Sequence, residues 1–461
     1  MRQALTTGLM GMLVGVGLMG ARAEAARGEP MGLKVSENGH YLMEAGKPFF
    51  LLADTAWNMD ALTDGEIDRY LSDRARHGFN AVMFCLDFAP QASSENAYGQ
   101  TAYVGEGKSE LNPQYFAHVD LTVEKARELE LYAMVYSMWG GHAGTMNGYS
   151  VAHLHDIGVK LGEYFKGKKN VILVAGGEST PDFVSADRVN AIGAGLKEGC
   201  ADENLVTVHS RSDQSSSRWL SGSQWLDFYM SQVKSGKGGE RADMTPYVAA
   251  DFWLKNPKPS MVGEHRYEVG TGEDPVIQRR GLYLSVFAGG CGYAYGHNAL
   301  WQMTPHTAQP WMLSGWNPGV KYWTEALDTV AVDQLQHIKG LLYSRPYFER
   351  IPDQSVIASE QNRDIADRVQ GTRDGTIGKN DATYVMIYRA SEKPLTVNTE
   401  VIGGKVLNIW WFDPATGIAT ELEKGIGNNG TFVLAAEVGK SDGVVVVDDA
   451  GSKYGAPGAM N

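Results

Sequence analysis

The chain has 461 residues, of which 43% are hydrophobic, so it can build two or three domains with sizeable cores. Its formal net charge is −13 and no long basic run stands out, which argues against a nucleic-acid partner. Three cysteines cannot all pair within the chain, so the sequence does not describe a disulfide scaffold.

The first 23 residues have the pattern of a signal peptide. Arg2 supplies a positive start, residues 4–20 are mostly apolar and glycine-rich, and Ala21-Arg22-Ala23 is a small-residue cleavage site. The apolar run is short for a membrane span. We therefore expect residues 1–23 to be removed during export to the periplasm or the medium, which changes the net charge from −13 to −15.

Eight short apolar runs follow, and helix-like patterns separate them. The runs cover residues 49–53, 81–86, 131–136, 171–175, 205–208, 226–230, 260–262 and 292–295. Buried parallel strands have this composition, and alternation with helices favours a parallel sheet. Eight such units over residues 24–355 predict an α/β fold, the (β/α)8 TIM barrel.

The sequence changes character after the barrel. Residues 356–450 alternate short β-like runs with turns, which predicts an all-β sandwich, and residues 451–461 are expected to be frayed. Trp410 and Trp411 are adjacent in one of these runs, so we expect them to face opposite sides of a strand.

Two glutamates stand where predicted strands end. Glu178 closes the run that starts at Asn170, and Glu264 closes the run that starts at Pro259. Strand C-termini form the active-site face of a (β/α)8 barrel, and two carboxylates are the groups that cleave a glycosidic bond. Glu268 is the rival of Glu264, but it lies further into the loop, where we expect a supporting carboxylate that contacts substrate. Tyr267 is expected to orient the nucleophile.

Other polar and aromatic residues are predicted on the same rim. Asp54 follows the first strand and is expected to bind a substrate hydroxyl, with a helix cap or a loop hydrogen bond as the alternative. Aromatic rings in such loops stack on sugar faces, and histidines bind hydroxyls, although both also serve loop packing. The further candidates for substrate binding are Trp57, Trp139, His142, His209, Arg211, His297 and Trp301.

No motif indicates a metal, a cofactor or a protease. The chain lacks Cys-x-x-Cys and His-Glu-x-x-His, and His153-Leu-His155 lies in a helix-like stretch, where a structural or substrate-facing role is favoured. The Gly-x-Ser-x-Gly match at residues 439–443 precedes a strand, whereas a nucleophile elbow joins a strand to a helix. We expect neither a cofactor nor a metal.

An ordered series of motifs resembles the bacterial apiosidase-like glycoside hydrolases (glycoside hydrolase family 140). The series spans nearly the whole mature chain and comprises Asn38-Gly-His-Tyr41 with Gly46-Lys-Pro-Phe49, Leu52-Ala-Asp-Thr-Ala-Trp57, Gly78-Phe-Asn-Ala-Val82, Gly176-Gly-Glu178, Gly263-Glu264 with Tyr267-Glu268, Tyr295-Gly-His-Asn298 before Trp301, and Trp411-Phe-Asp-Pro-Ala-Thr-Gly417. The resemblance implies a (β/α)8 barrel followed by a β-sandwich once named for collagen binding.

The resemblance also implies roles for the two glutamates. It places the acid/base after strand four, at Glu178, and the nucleophile after strand seven, at Glu264. The family pattern at the first position is Gly-Gly-Asp, so this chain carries a side chain one methylene longer. His265-Arg266 also departs from the pattern, and both departures indicate a sugar other than apiose.

These expectations combine into a retaining glycosidase that removes an apiose-like, furanose or branched sugar from pectic polysaccharide. Such a polymer is anionic, so local cations such as Arg211, Arg218 and Arg266 would offset the negative chain. A non-catalytic carbohydrate-binding barrel and, less favoured, a collagen-binding or proteolytic protein stay open as alternatives. No nucleic-acid partner and no stable membrane insertion are expected.

Overall fold

The computed structural model describes residues 32–86, 88, 95–140, 146–233, 243–269, 274–303, 322–360, 364–439 and 442–459. The predicted leader therefore lies outside the described residues. No helix in the described part of the chain is both long and apolar enough to cross a bilayer.

A small antiparallel sheet precedes the barrel. It contains β1 (Leu33–Val35), β2 (Leu42–Glu44) and β3 (Lys47–Phe49). Ala45 and Gly46 connect β2 to β3 and both have positive φ, 49° and 78°, as a two-residue hairpin turn requires. This sheet leads the chain directly into the first barrel strand.

The central sheet has nine strands, and eight of them run parallel in chain order around a barrel. The strands between Leu51 and Tyr295 are β4 (Leu51–Thr55), β5 (Ala81–Cys85), β6 (Tyr103–Val104), β7 (Glu110–Leu111), β8 (Tyr132–Tyr136), β9 (Val171–Val174), β10 (Val206–Thr207), β11 (Gln214–Ser215), β12 (Tyr229–Gln232), β13 (Ser260–Glu264) and β14 (Gly292–Tyr295). The sheet order is β10-β9-β8-β5-β4-β14-β13-β12-β11, with β11 antiparallel at the edge, and β6 and β7 form a separate hairpin.

The two ends of this curled sheet meet. The amide of Asp227 donates to the carbonyl of Val206 at 2.8 Å, and Thr207 Oγ1 donates to the carbonyl of Phe228 at 2.7 Å. These bonds join β10 to the segment that enters β12. The sequence-based prediction of a (β/α)8 barrel is confirmed, and all eight predicted runs overlap its parallel strands.

Helices alternate with the strands and cover the barrel. They are α1 (Asp64–Arg76), α2 (Pro113–Glu128), α3 (Val151–Phe165), α4 (Ala186–Cys200), α5 (Ser217–Leu220), α6 (Thr245–Phe252), α7 (Asp274–Phe287), α8 (Asn298–Gln302), α9 (Val330–Leu335) and α10 (His337–Tyr343). Short 3-10 turns occur at Met59–Ala61, Glu106–Lys108, Met146–Gly148, Trp323–Glu325, Gln354–Val356, Ile365–Asp367 and Ala450–Ser452.

Helix α1 shows how the sequence fixes these boundaries. The amide and hydroxyl of Thr63 both donate to Glu66 Oε2, at 2.9 and 2.7 Å, so the N-terminus is closed by a capping box. Gly78 then adopts φ 77° just beyond the C-terminus, where a side chain would be strained.

The C-terminal domain is an antiparallel β structure. Its strands are β15 (Ile351–Pro352), β16 (Val369–Arg373), β17 (Tyr384–Arg389), β18 (Leu395–Asn398), β19 (Val406–Asp413), β20 (Ile418–Gly427), β21 (Thr431–Leu434) and β22 (Gly443–Asp449). A six-stranded sheet of order β15-β16-β17-β22-β19-β20 stands beside the two-stranded pair β18-β21.

Alternation along these strands divides the sheet between two cores. On β22, Val445 and Val447 belong to the core of the domain itself, whereas Val444 and Val446 belong to the core shared with the barrel. Trp411 is buried in the domain core and Trp410 packs against the shared core, so the prediction that they face opposite sides is confirmed. The β domain is therefore a packing layer on the barrel.

Candidate active site

Glu178 stands beyond the end of β9 in an unusual backbone conformation. Its φ is 43°, in the left-handed region that a long side chain rarely adopts. Gly177 precedes it because a Cβ there would meet the ring of Trp139 at 2.2 Å. Ser179 donates its amide to the carbonyl of His209 at 2.9 Å, which fixes the chain on the other side. The surroundings therefore hold Glu178 in a strained position, a condition that clusters at functional sites.

A β-bulge presents Glu264 at the end of β13. Ser231 is paired with Val262, but the next residue, Gln232, is paired with Glu264 because the register skips Gly263. A Cβ on Gly263 would meet the terminal methyl of Met230 at 2.5 Å, so glycine avoids a shift of that side chain where the strand bends. The bulge turns the Glu264 side chain to the face that Gln232 occupies. Glu264 is 5% exposed.

Gln232 connects the two glutamates and was not predicted from the sequence. Its Nε2 donates to Glu178 Oε1 at 3.2 Å, and it lies opposite Glu264 in the pairing of β12 with β13. The apolar run of the predicted strand covers residues 226–230, so it does not include Gln232. In the structure it is the last residue of β12, and a polar side chain at that end of a barrel strand was the available signal.

The electrostatics of the pair follow from this contact. Burial, and after it the Glu178 carboxylate, raises the pKa of Glu264 well above its usual value, while hydrogen bonds from Gln232 and Tyr267 act in the opposite direction. The two carboxylates are therefore close enough to influence each other. Like charges that share a buried site retain one proton between them over a wide pH range.

Tyr267 and two tryptophans form one wall beside Glu264. Trp57 Nε1 donates to the Tyr267 hydroxyl oxygen at 2.7 Å, and Trp301 stacks on Tyr267 with ring centroids 6.2 Å apart. Burial and the neighbouring Glu264 raise the pKa of Tyr267 well above 10, so its hydroxyl keeps its proton.

Trp139 and His209 form the opposite part of the site. The ring of Trp139 lies 5.1 Å from that of Trp57 and 6.1 Å from that of His209, and its buried indole N–H has no hydrogen-bond partner among the described residues. Burial lowers the pKa of His209 to about 3, so its imidazole is neutral at working pH. Its Nε2 lies 3.8 Å from Glu264 Oε2, a contact too long for a hydrogen bond and not an ion pair.

Three predicted substrate-binding residues lie in the framework beneath the site. Asp54 is fully buried on the helix side of β4, where its Oδ2 accepts from Tyr70 at 2.9 Å and Arg74 at 3.1 Å. Burial, partly offset by Arg74, raises the pKa of Asp54 to about 6. The geometry thus corresponds to the alternative of a structural hydrogen bond rather than to a contact with a substrate hydroxyl.

Glu268 and His297 pair with each other through a β-bridge. The Glu268 carboxylate accepts from Tyr295 at 2.6 Å and from Thr329 at 2.9 Å, and His297 Nδ1 accepts the amide of Ala299 at the start of α8. Glu268 thereby supports the loop that carries Tyr267. None of these bonds orients its carboxylate towards Glu178.

The remaining predicted residues are at the edge of the site or outside the described part of the chain. Arg211 places its guanidinium 3.3 Å from the ring centroid of Phe183, a cation–π contact with a partly exposed ring. His142 lies outside the described residues. His153 stacks on Tyr149 with centroids 4.6 Å apart.

One cluster within the described ranges has metal-ligand geometry, at Asp73, His77 and Asp328. Asp73 is already ion-paired with Arg74 and Arg76, and Arg76 also contacts Asp328. Guanidinium groups therefore occupy the carboxylate oxygens that a cation would need, and this cluster stabilises α1.

A (β/α)8 barrel with two interacting carboxylates at its strand ends defines the class: the protein is a glycoside hydrolase. The family model "Apiosidase-like, catalytic domain" matches residues 36–349, and a second model, named for collagen binding by a collagenase, matches residues 351–448. The chain therefore belongs to the apiosidase-like family, as the sequence-based resemblance predicted.

Solved structures agree with this assignment. A protein described as a glycoside hydrolase is 28% identical, with a TM-score of 0.80 over 91% of this chain and 97% of its own. A glycoside hydrolase family 5 protein from Bacteroides vulgatus ATCC 8482 is 27% identical, with a TM-score of 0.80 over 93% of this chain and 95% of its own. The comparison with curated proteins gives no match.

Proposed function

We propose that this glycoside hydrolase is a retaining enzyme in which Glu264 is the nucleophile and Glu178 is the acid/base. The observation that carries the proposal is the position of Gln232, which donates to Glu178 and is paired with Glu264 across the bulge, so that both carboxylates lie at one site. Retention requires two carboxyl groups close to each other on opposite sides of the scissile bond.

The reaction divides into two displacements. Glu264 attacks the anomeric carbon while the Glu178 carboxylic acid gives its proton to the leaving oxygen, which produces a glycosyl-enzyme ester. Glu178, now a carboxylate, takes a proton from water, and the resulting hydroxide attacks the anomeric carbon and releases Glu264. The starting state needs one proton on the pair, located on Glu178. Tyr267 acts towards that arrangement, because it lowers the pKa of Glu264 against the raising effects of burial and Glu178.

The substrate we propose is a terminal apiose-like, furanose or branched sugar on a pectic polysaccharide. Family membership supports the sugar class. The aromatic wall beside Glu264 supports a bound sugar ring, because the half-buried Trp301, which stacks on Tyr267, leaves apolar ring surface for a sugar face. Arg211 at the edge offers positive charge to an anionic polymer. We also propose that the chain is exported, on the basis of its leader pattern.

A hydrolysis panel tests the proposal. Purified enzyme is incubated with pectic polysaccharides and with aryl apiosides, arabinofuranosides and galactofuranosides, and the anomer first released is identified by NMR. We expect one sugar to be released with retained configuration, and none with Glu264→Gln. Release of the inverted anomer would contradict the retaining mechanism. Glycan binding without hydrolysis would favour the non-catalytic barrel, and collagen binding would favour the other alternative.

A further inference from the structure

Gln232 is a buried amide side chain next to both glutamates. It is 1% exposed, it lies opposite Glu264 through the bulge, and its Nε2 donates to Glu178. Its carbonyl Oε1 is buried and has no hydrogen-bond partner in the described part of the chain. A buried amide that leaves one of its two polar atoms unsatisfied is unfavourable for folding alone, which indicates a role in function.

An amide differs from a cation at this position. A lysine or arginine between two carboxylates would stabilise both in the ionised form, and the general acid would lose its proton. A purely apolar side chain would leave both carboxylates without this donor. Only a neutral donor fixes the geometry of Glu178 and Glu264 while the pair retains a proton.

We infer that Gln232 is a positioning residue, which fixes the positions of the Glu178 and Glu264 side chains. Because its amide donor is neutral, the pair of carboxylates can keep one proton. This inference rests on the proposed roles of the two glutamates.

The ionisable groups around Glu264 do not supply a positive charge to the pair of carboxylates. In the described part of the chain, Glu178 faces it from the end of β9, His209 from the end of β10, Tyr136 from β8 and Tyr267 from the loop after β13. His209 is neutral because burial lowers its pKa to about 3. Tyr136 and Tyr267 are neutral because burial raises the pKa of both well above 10. None of these four groups contributes a positive charge to the pair.

Two substitutions with opposite charge effects provide the test. Gln232→Met keeps the length of the side chain and removes the donor, so we expect the titration of Glu264 to move to higher pH, by about one to two pH units for a hydrogen bond to a charged group. Gln232→Lys adds a positive charge, so we expect the titration to move to lower pH.

Carboxyl-labelled glutamate in the substrate-free protein, followed by NMR, measures these shifts without any assumption about the substrate. The matched control is Ser231→Ala on the same strand, since Ser231 Oγ donates to the carbonyl of Met261 on β13 rather than to either glutamate. It should titrate like wild type. Melting curves establish that each variant is folded, and Gln232→Asn, whose shorter amide withdraws from Glu178, replaces any variant that is not.

Kinetics give the second readout. Both variants should lose kcat with little change in KM, and a displacement of about 1 Å can cost about 100-fold. Gln232→Lys should retain more activity on aryl glycosides whose leaving group needs no proton. Shifts of the Glu264 titration in the same direction in both variants, or in neither, would overturn the inference. That result would leave the proposed hydrolase activity untouched, because the hydrolysis panel tests it separately.

Discussion

Trp57 donates its indole N–H to the hydroxyl oxygen of Tyr267 at 2.7 Å, and this bond joins the loop after the first barrel strand to the loop after the seventh. The Tyr267 oxygen accepts from Trp57, and Tyr267 lowers the pKa of Glu264 against the raising effect of burial. Trp57 therefore affects Glu264 through Tyr267.

Removal of the Tyr267 hydroxyl should weaken the ionised form of Glu264. We expect Tyr267→Phe to move the acidic limb of the kcat/KM profile upward by about one to two pH units, since a hydrogen bond to a charged group is worth that much. Trp57→Phe should produce a smaller shift in the same direction, because it removes only the support of Tyr267. An unchanged acidic limb in Tyr267→Phe would show that the hydroxyl does not stabilise the nucleophile.

The raised pKa of Glu264 also makes a prediction about stability. Burial and Glu178 raise the folded-state value above the unfolded value of about 4.3, so this residue favours the folded state below that pH and loses the effect as the pH rises through its folded value. Glu264→Gln should therefore raise the melting temperature at pH 7, by the equivalent of about 1–2 kcal/mol, and give no gain at pH 4.

Scanning calorimetry at the two pH values measures this difference. Glu268→Gln is the matched control, because its carboxylate accepts bonds from Tyr295 and Thr329 and its loss should lower the melting temperature. A lower melting temperature for Glu264→Gln at both pH values would mean that the ionised glutamate does not destabilise the fold.

The alternation of apolar runs was sufficient to predict the barrel, because each parallel strand is buried on both faces and needs a continuous apolar segment. It was less informative about strand ends. The first strand was expected to stop at Ala53, which placed Asp54 in the catalytic loop, but β4 continues to Thr55. Asp54 then follows the alternation of a strand, and its side chain faces α1.

The same limitation applies to the site. Glu178 and Glu264 were found because glycine precedes each carboxylate after an apolar run. Gln232 was missed because its position opposite Glu264 depends on a bulge in the pairing of two distant segments. A register between strands is set by tertiary packing, which no local pattern encodes.

The contact between the two domains contains a buried ion pair that should be essential for stability. Arg279 on α7 binds Asp442 through Nε at 3.0 Å and Nη2 at 2.6 Å, and Tyr388 donates to the same carboxylate at 2.9 Å. Arg279→Met should cost about 3–5 kcal/mol because it removes the guanidinium that balances a buried carboxylate. The double variant Arg279→Met with Asp442→Leu should recover part of this loss in thermal unfolding. Equal loss in both would exclude an unpaired charge as the cause.

The positive φ of Glu178 predicts opposite effects on stability and activity. Aspartate adopts the left-handed region more readily than glutamate, so Glu178→Asp should leave the melting temperature unchanged or slightly higher. The shorter side chain withdraws the acid from its partner, so activity should fall by about 10–100-fold. Glu264→Asp is the comparison, since its backbone carries no such strain and it should lose activity without any gain in stability.

Substrates with different leaving groups separate the roles of the two glutamates. Glu264→Ala should abolish turnover of every glycoside, because no nucleophile remains, and azide should restore cleavage with inverted product by occupying the vacated space. Glu178→Ala should still form the glycosyl-enzyme from activated aryl glycosides but lose natural linkages, and the difference should reach about 10²–10⁴-fold because general-acid assistance is worth that much.

Glu268→Ala distinguishes this assignment from its rival. The Glu268 carboxylate is bonded to Tyr295 and Thr329, so we expect the variant to melt at a lower temperature and to keep nucleophilic chemistry. An inactive Glu268→Ala together with an active Glu264→Ala would transfer the nucleophile to Glu268. Equal losses on activated and natural substrates in Glu178→Ala would reduce Glu178 to a structural residue, because a missing general acid affects mainly the substrates whose leaving group requires a proton.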